Sequence, residues 1–331
     1  MRLLGKQGLL AVVLAFMLAL PARADMVFWA PGGLGNGGPI WEASVAPQSI
    51  AFHEGTLWIA DWPSMQVRYV ENAGPFTNST DQPIQKLTTL PGNPYSVLVS
   101  PTGRLFYGIR NAIIEVLADG DQRSVFTAGT LQPYGMAWHD GFIYAANGDS
   151  NRNQIVRINP DTGQSTVVVN SSGTSGFGGD NGPALNALLR NPQGVIFVGD
   201  TMYIADTNNN RIRKVENGVI TTFIGGAFYP FPAKGDGMPA LQAQLRVPTA
   251  IRERNGEFFI ADKDDNCVRK LDRNGIISTI AGSGQKVPPR DFVFNPNPLL
   301  NPLGEVNNLE FDDAGNLFIS SLYLGKILLL E

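Results

Sequence analysis

Hydrophobic and polar residues alternate along this chain in runs of five or six positions, each closed by Gly, Asn, Asp or Pro. That period of two predicts short, half-buried strands joined by turns. The stretch from Tyr203 to Val215, YIADTNNNRIRKV, shows the unit: an apolar strand, a polar corner and a basic strand. The runs recur in sets. Placing PQGVIFVGDTMYIADTNNNRIRKV from Pro192 over PTAIRERNGEFFIADKDDNCVRKL from Pro248 aligns the proline, the Ile-Ala-Asp and the basic segment without a gap. Weaker copies start at Pro47, Pro94, Pro133 and Val306. After each of the first five comes another apolar run ending near glycine, such as QRSVFTAG or GVITTFIGG, so each unit holds four strands. Six units of four strands predict a closed ring of blades.

The sixth unit stops at Glu331 without a fourth strand, which would leave an unpaired edge. The segment MVFWAPGG has the form of the missing strand, with Val27 to Ala30 as its centre. GNGGPIWEASVAPQSI then parallels GDNGPALNALLRNPQGV, Pro39 matching Pro183 and Pro47 matching Pro192. The expected fold is therefore an all-β, six-bladed β-propeller of four-stranded antiparallel blades over residues 25–331, closed by an N-terminal strand that completes the last blade.

Residues 1–24 follow a different rule. Arg2 and Lys6 precede the apolar run Leu9 to Leu20 and then Ala22-Arg23-Ala24, the layout of a secretory signal cleaved before Asp25. The run is too short to span a bilayer. This predicts a periplasmic or secreted chain with no membrane span after cleavage. The formal net charge of −4 becomes three units more negative once Arg2, Lys6 and Arg23 leave. With no stripe of Lys and Arg interleaved with aromatics, nucleic acid is excluded as a partner. The single Cys267 forms no intramolecular disulfide. A monomer without cofactor is expected.

The repeats resemble those of the NHL family of β-propellers. SGFGGDNGPALNALLRNPQGV followed by MYIADTNNNRIRKV matches that family's repeat, and KGDGMPALQAQLRVP with FFIADKDDNCVRKL is a second match. The resemblance implies six blades and leaves activity open, because such propellers serve as binding modules, lyases and lactonases. In this frame Asp206 ends a second strand and DTNNN is the hairpin corner, where Asn and Asp tolerate left-handed backbone. The aligned positions are Asp61, Ile109, Asn147, Asp206, Asp262 and Ser321. A residue placed once per blade reads as structural. Only His53 and His139 are present, too few for the multi-histidine zinc site of the amidating-lyase relatives. A gluconolactonase-like metal-dependent hydrolase is the alternative. Against it, Gly37 stands where the metal-binding Glu of those propellers falls, and Tyr134 replaces an Asn. No Gly-x-Ser-x-Gly, P-loop or His-Glu-x-x-His occurs, and Cys267 has no adjacent base. No catalytic or metal-ligating residue is assigned.

What remains is a binding surface for a protein, glycan or small-molecule ligand. Turns between second and third strands share a face with the connectors between blades. Two connectors carry aromatics among prolines: Phe228, Tyr229 and Phe231 in one, Phe292 and Phe294 in the other. Stiffened aromatic loops lose little entropy on binding. These residues, with Asn147, Asp149, Asp264 and Asp265 in the polar turns, are the candidate ligand contacts.

Overall fold

The structure is a computed structural model that describes residues 26–29, 45–71, 73, 85–148, 151–227, 234–285 and 297–331. It opens with β1 (Met26–Trp29). Blade 1 contains β2 (Pro47–His53), β3 (Thr56–Asp61), β4 (Gln66–Val70) and β5 (Gln85–Thr89). Blade 2 contains β6 (Ser96–Val99), β7 (Leu105–Ile109), β8 (Ala112–Val116) and β9 (Gln122–Thr127). Blade 3 contains β10 (Pro133–His139), β11 (Phe142–Asn147), β12 (Gln154–Ile158) and β13 (Ser165–Val169). A two-residue strand, β14 (Gly182–Pro183), precedes β15 (Gly194–Val198), β16 (Thr201–Asp206), β17 (Arg211–Glu216) and β18 (Val219–Gly225) of blade 4. Blade 5 contains β19 (Pro248–Arg254), β20 (Glu257–Asp262), β21 (Cys267–Leu271) and β22 (Ile277–Ala281). Blade 6 contains β23 (Val306–Phe311), β24 (Leu317–Ser321) and β25 (Lys326–Leu330).

Blade 6 closes as the sequence predicts, with its fourth strand one residue earlier than expected. β1 pairs antiparallel with β25, Met26 opposite Leu330 and Trp29 opposite Ile327. The first and last described strands thus share one sheet. The first strands of the blades surround the axis, each against the next, and β23 returns to β2.

Their starts are joined around the ring. The Val97 amide donates to Ser49 Oγ at 3.4 Å, and Ser96 Oγ donates to the Pro133 carbonyl at 2.5 Å. Thr249 Oγ1 donates to the Val306 carbonyl at 3.3 Å, and Asn307 Nδ2 to the Gln48 carbonyl at 2.5 Å. At the other two junctions the strands approach through glycine. A Cβ on Gly135 would collide with the Gln193 carbonyl oxygen, and one on Gly194 would lie 2.9 Å from that of Thr249. Glycine is required there by contact.

Strand alternation supplies the core. Successive residues of a strand face opposite neighbours, so Ile59 packs toward blade 6 and Ala60 toward blade 2. The buried residues accordingly form six clusters, one at each blade junction. The same place in every second strand carries an aromatic: Trp58, Phe106, Tyr144, Tyr203, Phe259 and Phe318. Each meets another ring, for example Tyr144 with Phe197 at 4.6 Å and Phe259 with Phe311 at 5.0 Å between centroids. Such pairs add about 0.5–1.5 kcal/mol beyond burial.

The connectors before blades 4 and 5 protect outer edges. β14 pairs with β18 as a fifth strand, and Pro239 bridges to Ile276 beside β22. Pro183 then leads into a 3-10 turn, Ala184–Asn186. These contacts cap one end of each outer edge and shorten the stretch open to pairing with another chain.

Candidate functional site

Antiparallel blades put the turns between second and third strands, and the blade connectors, on one face of the ring. Their polar residues are largely taken up by the fold. In blade 4, Asp206 is fully buried and accepts the Arg190 amide at 2.8 Å and Asn209 Nδ2 at 2.9 Å. Arg213, also fully buried, lies 3.2 Å from Asp206 and 2.5 Å from Asp180 of the connector. It donates as well to the carbonyls of Leu188 and Gly178, both at 3.3 Å. The guanidinium therefore bolts the turn, the third strand and the connector together. Blade 5 repeats this with Asp262, Arg269 and Asp236, and blade 1 keeps Asp61 with Arg68 at 2.9 Å. The structural reading of Asp206 holds. Sequence reasoning missed the arginine, although an Arg seven residues after an Asp recurs in three repeats.

Burial pushes the carboxyls of Asp206 and Asp262 upward. Asp206 rises from the ordinary 3.8 to about 6 against the pull of its donors and Arg213. Asp262 is pushed up to about 7 by burial, then by Asp265. Its Oδ1 accepts the Arg246 amide at 2.6 Å, while Oδ2 accepts no hydrogen bond among the described residues. Folding thus raises proton affinity. The native chain binds more protons than the unfolded one between about pH 4 and 7, so this group's contribution to stability falls as pH rises through that window. Urea titrations at pH 5 and pH 8 are expected to show a larger drop for the parent than for Asp262→Asn. Equal drops would place the Asp262 proton elsewhere.

The candidate contacts fall into three groups. Phe228, Tyr229, Phe231, Phe292, Phe294 and Asp149 lie outside the described residues. Asn147 is buried: Oδ1 accepts the Gln132 amide at 2.9 Å and Nδ2 donates to the Thr130 carbonyl at 3.0 Å. Asp265 is buried too, 3.4 Å from Arg246. Both serve the fold. Asp264 is exposed on the face. Residues 1–24 and Gly37 also lie outside the described residues. Tyr134 stacks edge to face on Tyr95, with ring centroids 5.1 Å apart. His139 stacks on Phe197 at 4.1 Å. Cys267 is buried with its Sγ 3.5 Å from Lys234 Nζ, and burial pushes its thiol up to about 12, so it stays protonated and inert. Among the described residues, no three His, Cys, Asp or Glu side chains gather to hold a metal.

Comparing the six turns reveals a feature absent from the sequence reading. The residue just before each third strand has positive φ: Met65 (52°), Asn111 (70°), Asn153 (44°), Asn210 (57°), Asn266 (50°) and Gly325 (64°). Asn and Gly suit this conformation; methionine does not. Asn153 and Asn210 also reach to the next blade, accepting the Asn191 amide at 2.7 Å and the Val247 amide at 2.9 Å. Met65 does without that acceptor. It is 38% exposed beside Trp62 of the same turn at 39%, and the corresponding turn of adjacent blade 6 exposes Tyr323 at 49%. Blades 4 and 5 carry Asn208 and Asp264 there instead. The turns between second and third strands are therefore apolar at blades 6 and 1 and polar at blades 4 and 5, while Phe177 of the connector before blade 4 is exposed against Arg211.

No protein-family model matches the chain. Teneurin-m of Drosophila melanogaster is 27% identical over 212 residues, 57% of this chain and 8% of the relative. NHL repeat-containing protein 2 of Bos taurus is 34% identical over 89 residues, 26% of this chain and 12% of the relative. The chain thus spans a small part of the curated relatives it matches. Among solved structures, an auxiliary nutrient binding protein from Bacteroides ovatus superposes with a TM-score of 0.69 at 16% identity, covering 93% of this chain and 76% of the other. Repeat pattern, blade architecture and these matches agree: the chain is an NHL-repeat-like six-bladed β-propeller.

Proposed function

We propose that this propeller is an exported binding or scaffold protein that engages its ligand over the loop-rich face, with Trp62, Met65 and Tyr323 in the contact. The observation that carries this is Met65. Its left-handed backbone costs a non-glycine residue about 1–2 kcal/mol, and the same position in the other five turns is Asn or Gly. A strained, exposed and adaptable apolar side chain beside a tryptophan is what a recognition surface uses. The nutrient binding protein among the structural neighbours supports a binding role.

The protein expressed with residues 1–24 and recovered after export should have an intact mass beginning at Asp25. That material is screened by thermal shift against sugars, peptides, lactones and divalent cations, since a ligand raises stability by mass action. Met65→Asn is expected to gain about 1 kcal/mol of stability. Combined with Trp62→Ala and Tyr323→Ala, it is expected to lose the ligand response of the parent. If that response survives there and is lost in Tyr229→Ala/Phe294→Ala, the ligand sits on the connectors. Metal-dependent lactone hydrolysis would replace the binding reading with the lactonase.

A further inference from the structure

On the opposite face, a cleft of about 460 Å³ opens between blades 5 and 6, within the size range of small-ligand sites. Its floor is apolar: Phe259, Ile280, Phe311, Leu317 and Leu330. Its rim carries Arg254, Lys270, Glu257 and Glu331.

The neighbouring junction is filled by different side chains. Between blades 4 and 5, three rings fill the corresponding position, with Tyr203, Phe223 and Phe258 at 4.8–4.9 Å from one another. Between blades 5 and 6, Phe259 takes the place of Tyr203, while Ile280 stands for Phe223 and Leu317 for Phe258. Phe259 meets Phe311 at 5.0 Å and at 81°. Phe311 in turn stands where the other junction has Glu253, so one junction packs three rings and the other two rings, two aliphatic side chains and a cleft. The cleft is roomy enough to admit an aromatic ring, and Phe259 and Phe311 border it.

The rim sets the polar part of the ligand. Lys270 Nζ lies 3.0 Å from Glu257 Oε1, both side chains 29% exposed, so the pair can open toward a guest. Arg254 is held in place by bonds to the carbonyls of Asp312 at 3.0 Å and Asp313 at 3.4 Å, with its guanidinium 5.3 Å above the Phe311 ring. Two cations and two carboxylates thus edge an apolar cleft that an aromatic ring can enter. We infer that this cleft binds a small zwitterionic aromatic of the class of free aromatic amino acids. The ring packs against Phe259 and Phe311, the ligand carboxylate meets Lys270 and Arg254, and its ammonium meets Glu257 or Glu331.

The probes are L-phenylalanine, phenethylamine and 3-phenylpropionate, followed by methyl NMR of the full chain. L-Phenylalanine is expected to shift the methyl signals of Ile280, Leu317 and Leu330. Each single-charge analogue is expected to bind about tenfold more weakly, having lost one charged hydrogen bond. Ile280→Phe restores the third ring; it should match or exceed the parent in stability and no longer bind. Lys270→Met should weaken L-phenylalanine and 3-phenylpropionate and leave phenethylamine unchanged, which a merely structural lysine would not do. The inference is overturned if L-phenylalanine leaves those methyls unmoved, if the analogues bind as well as it does, or if neither substitution changes its affinity.

Discussion

Replacing Arg213 with methionine is expected to remove about 3–5 kcal/mol of folding stability, because it strands a buried carboxylate. Asp206 is fully buried and would lose its cation; Asp180, whose side chain is 28% exposed, can rehydrate. The carbonyls of Leu188 and Gly178 would lose donors at the same time. Lysine is not a substitute: one ammonium cannot reproduce a planar fork that serves two carboxylates and two carbonyls. The molecule contains its own neutral solution. Blade 3 places Asn147 at the Asp206 position and Val156 at the Arg213 position, opposite Ala145 in the ladder. The pair Arg213→Val/Asp206→Asn should therefore recover more than half of the loss seen in Arg213→Met. Urea unfolding of the three variants tests this. A loss below 1 kcal/mol in Arg213→Met would show that the ion pairs are dispensable, and an unrescued double mutant would locate the cost in the lost carbonyl bonds.

The blades were legible in the chain because strand alternation, turn residues and repetition all report the same four-strand unit. Even the closing strand could be read, since a ring with a missing strand at one end and a spare strand at the other has one solution. The ion-pair bolts were not read, because an Arg in the middle of a predicted strand looks like a solvent-facing residue until the connector that covers it is in place. Asn147 illustrates the converse: its turn position suggested a solvent-facing contact, whereas its amide is spent on the Gln132 and Thr130 backbone. Met65 could have been singled out by aligning the six turns, but its significance needs φ, which the sequence does not display. The cleft is lined by side chains that differ between junctions: Ile280 against Phe223, Leu317 against Phe258 and Phe311 against Glu253. Such differences look minor in a repeat alignment, and the packing that leaves a cleft beside them is not displayed there.

Deleting residues 25–31 is expected to abolish cooperative unfolding. β1 contributes only four residues, yet its removal acts on three levels. It leaves the backbone edge of β25 unpaired along Lys326–Leu330, a strand whose last four residues are buried and apolar. It weakens blade 6 at the cluster where Ile327 and Leu329 pack against Ile50 and Leu57 of blade 1, the junction that closes the ring. It also presents an exposed apolar edge that invites pairing between copies. A ring held at every junction distributes strain, whereas an opened ring can fray blade by blade, as linear repeat arrays do. The expected signature is a broad thermal transition at lower temperature, with soluble aggregates on size exclusion. Mixing the truncated chain with a synthetic peptide of residues 25–31 should sharpen the transition again, because the empty edge accepts that strand in the register Met26 opposite Leu330. A peptide with proline at Val27 and Phe28 should fail, since it cannot donate to the ladder. If the truncated chain unfolds with unchanged midpoint and sharpness, the ring is closed by contacts between blades 6 and 1 alone, and β1 is an appendage to a propeller already complete.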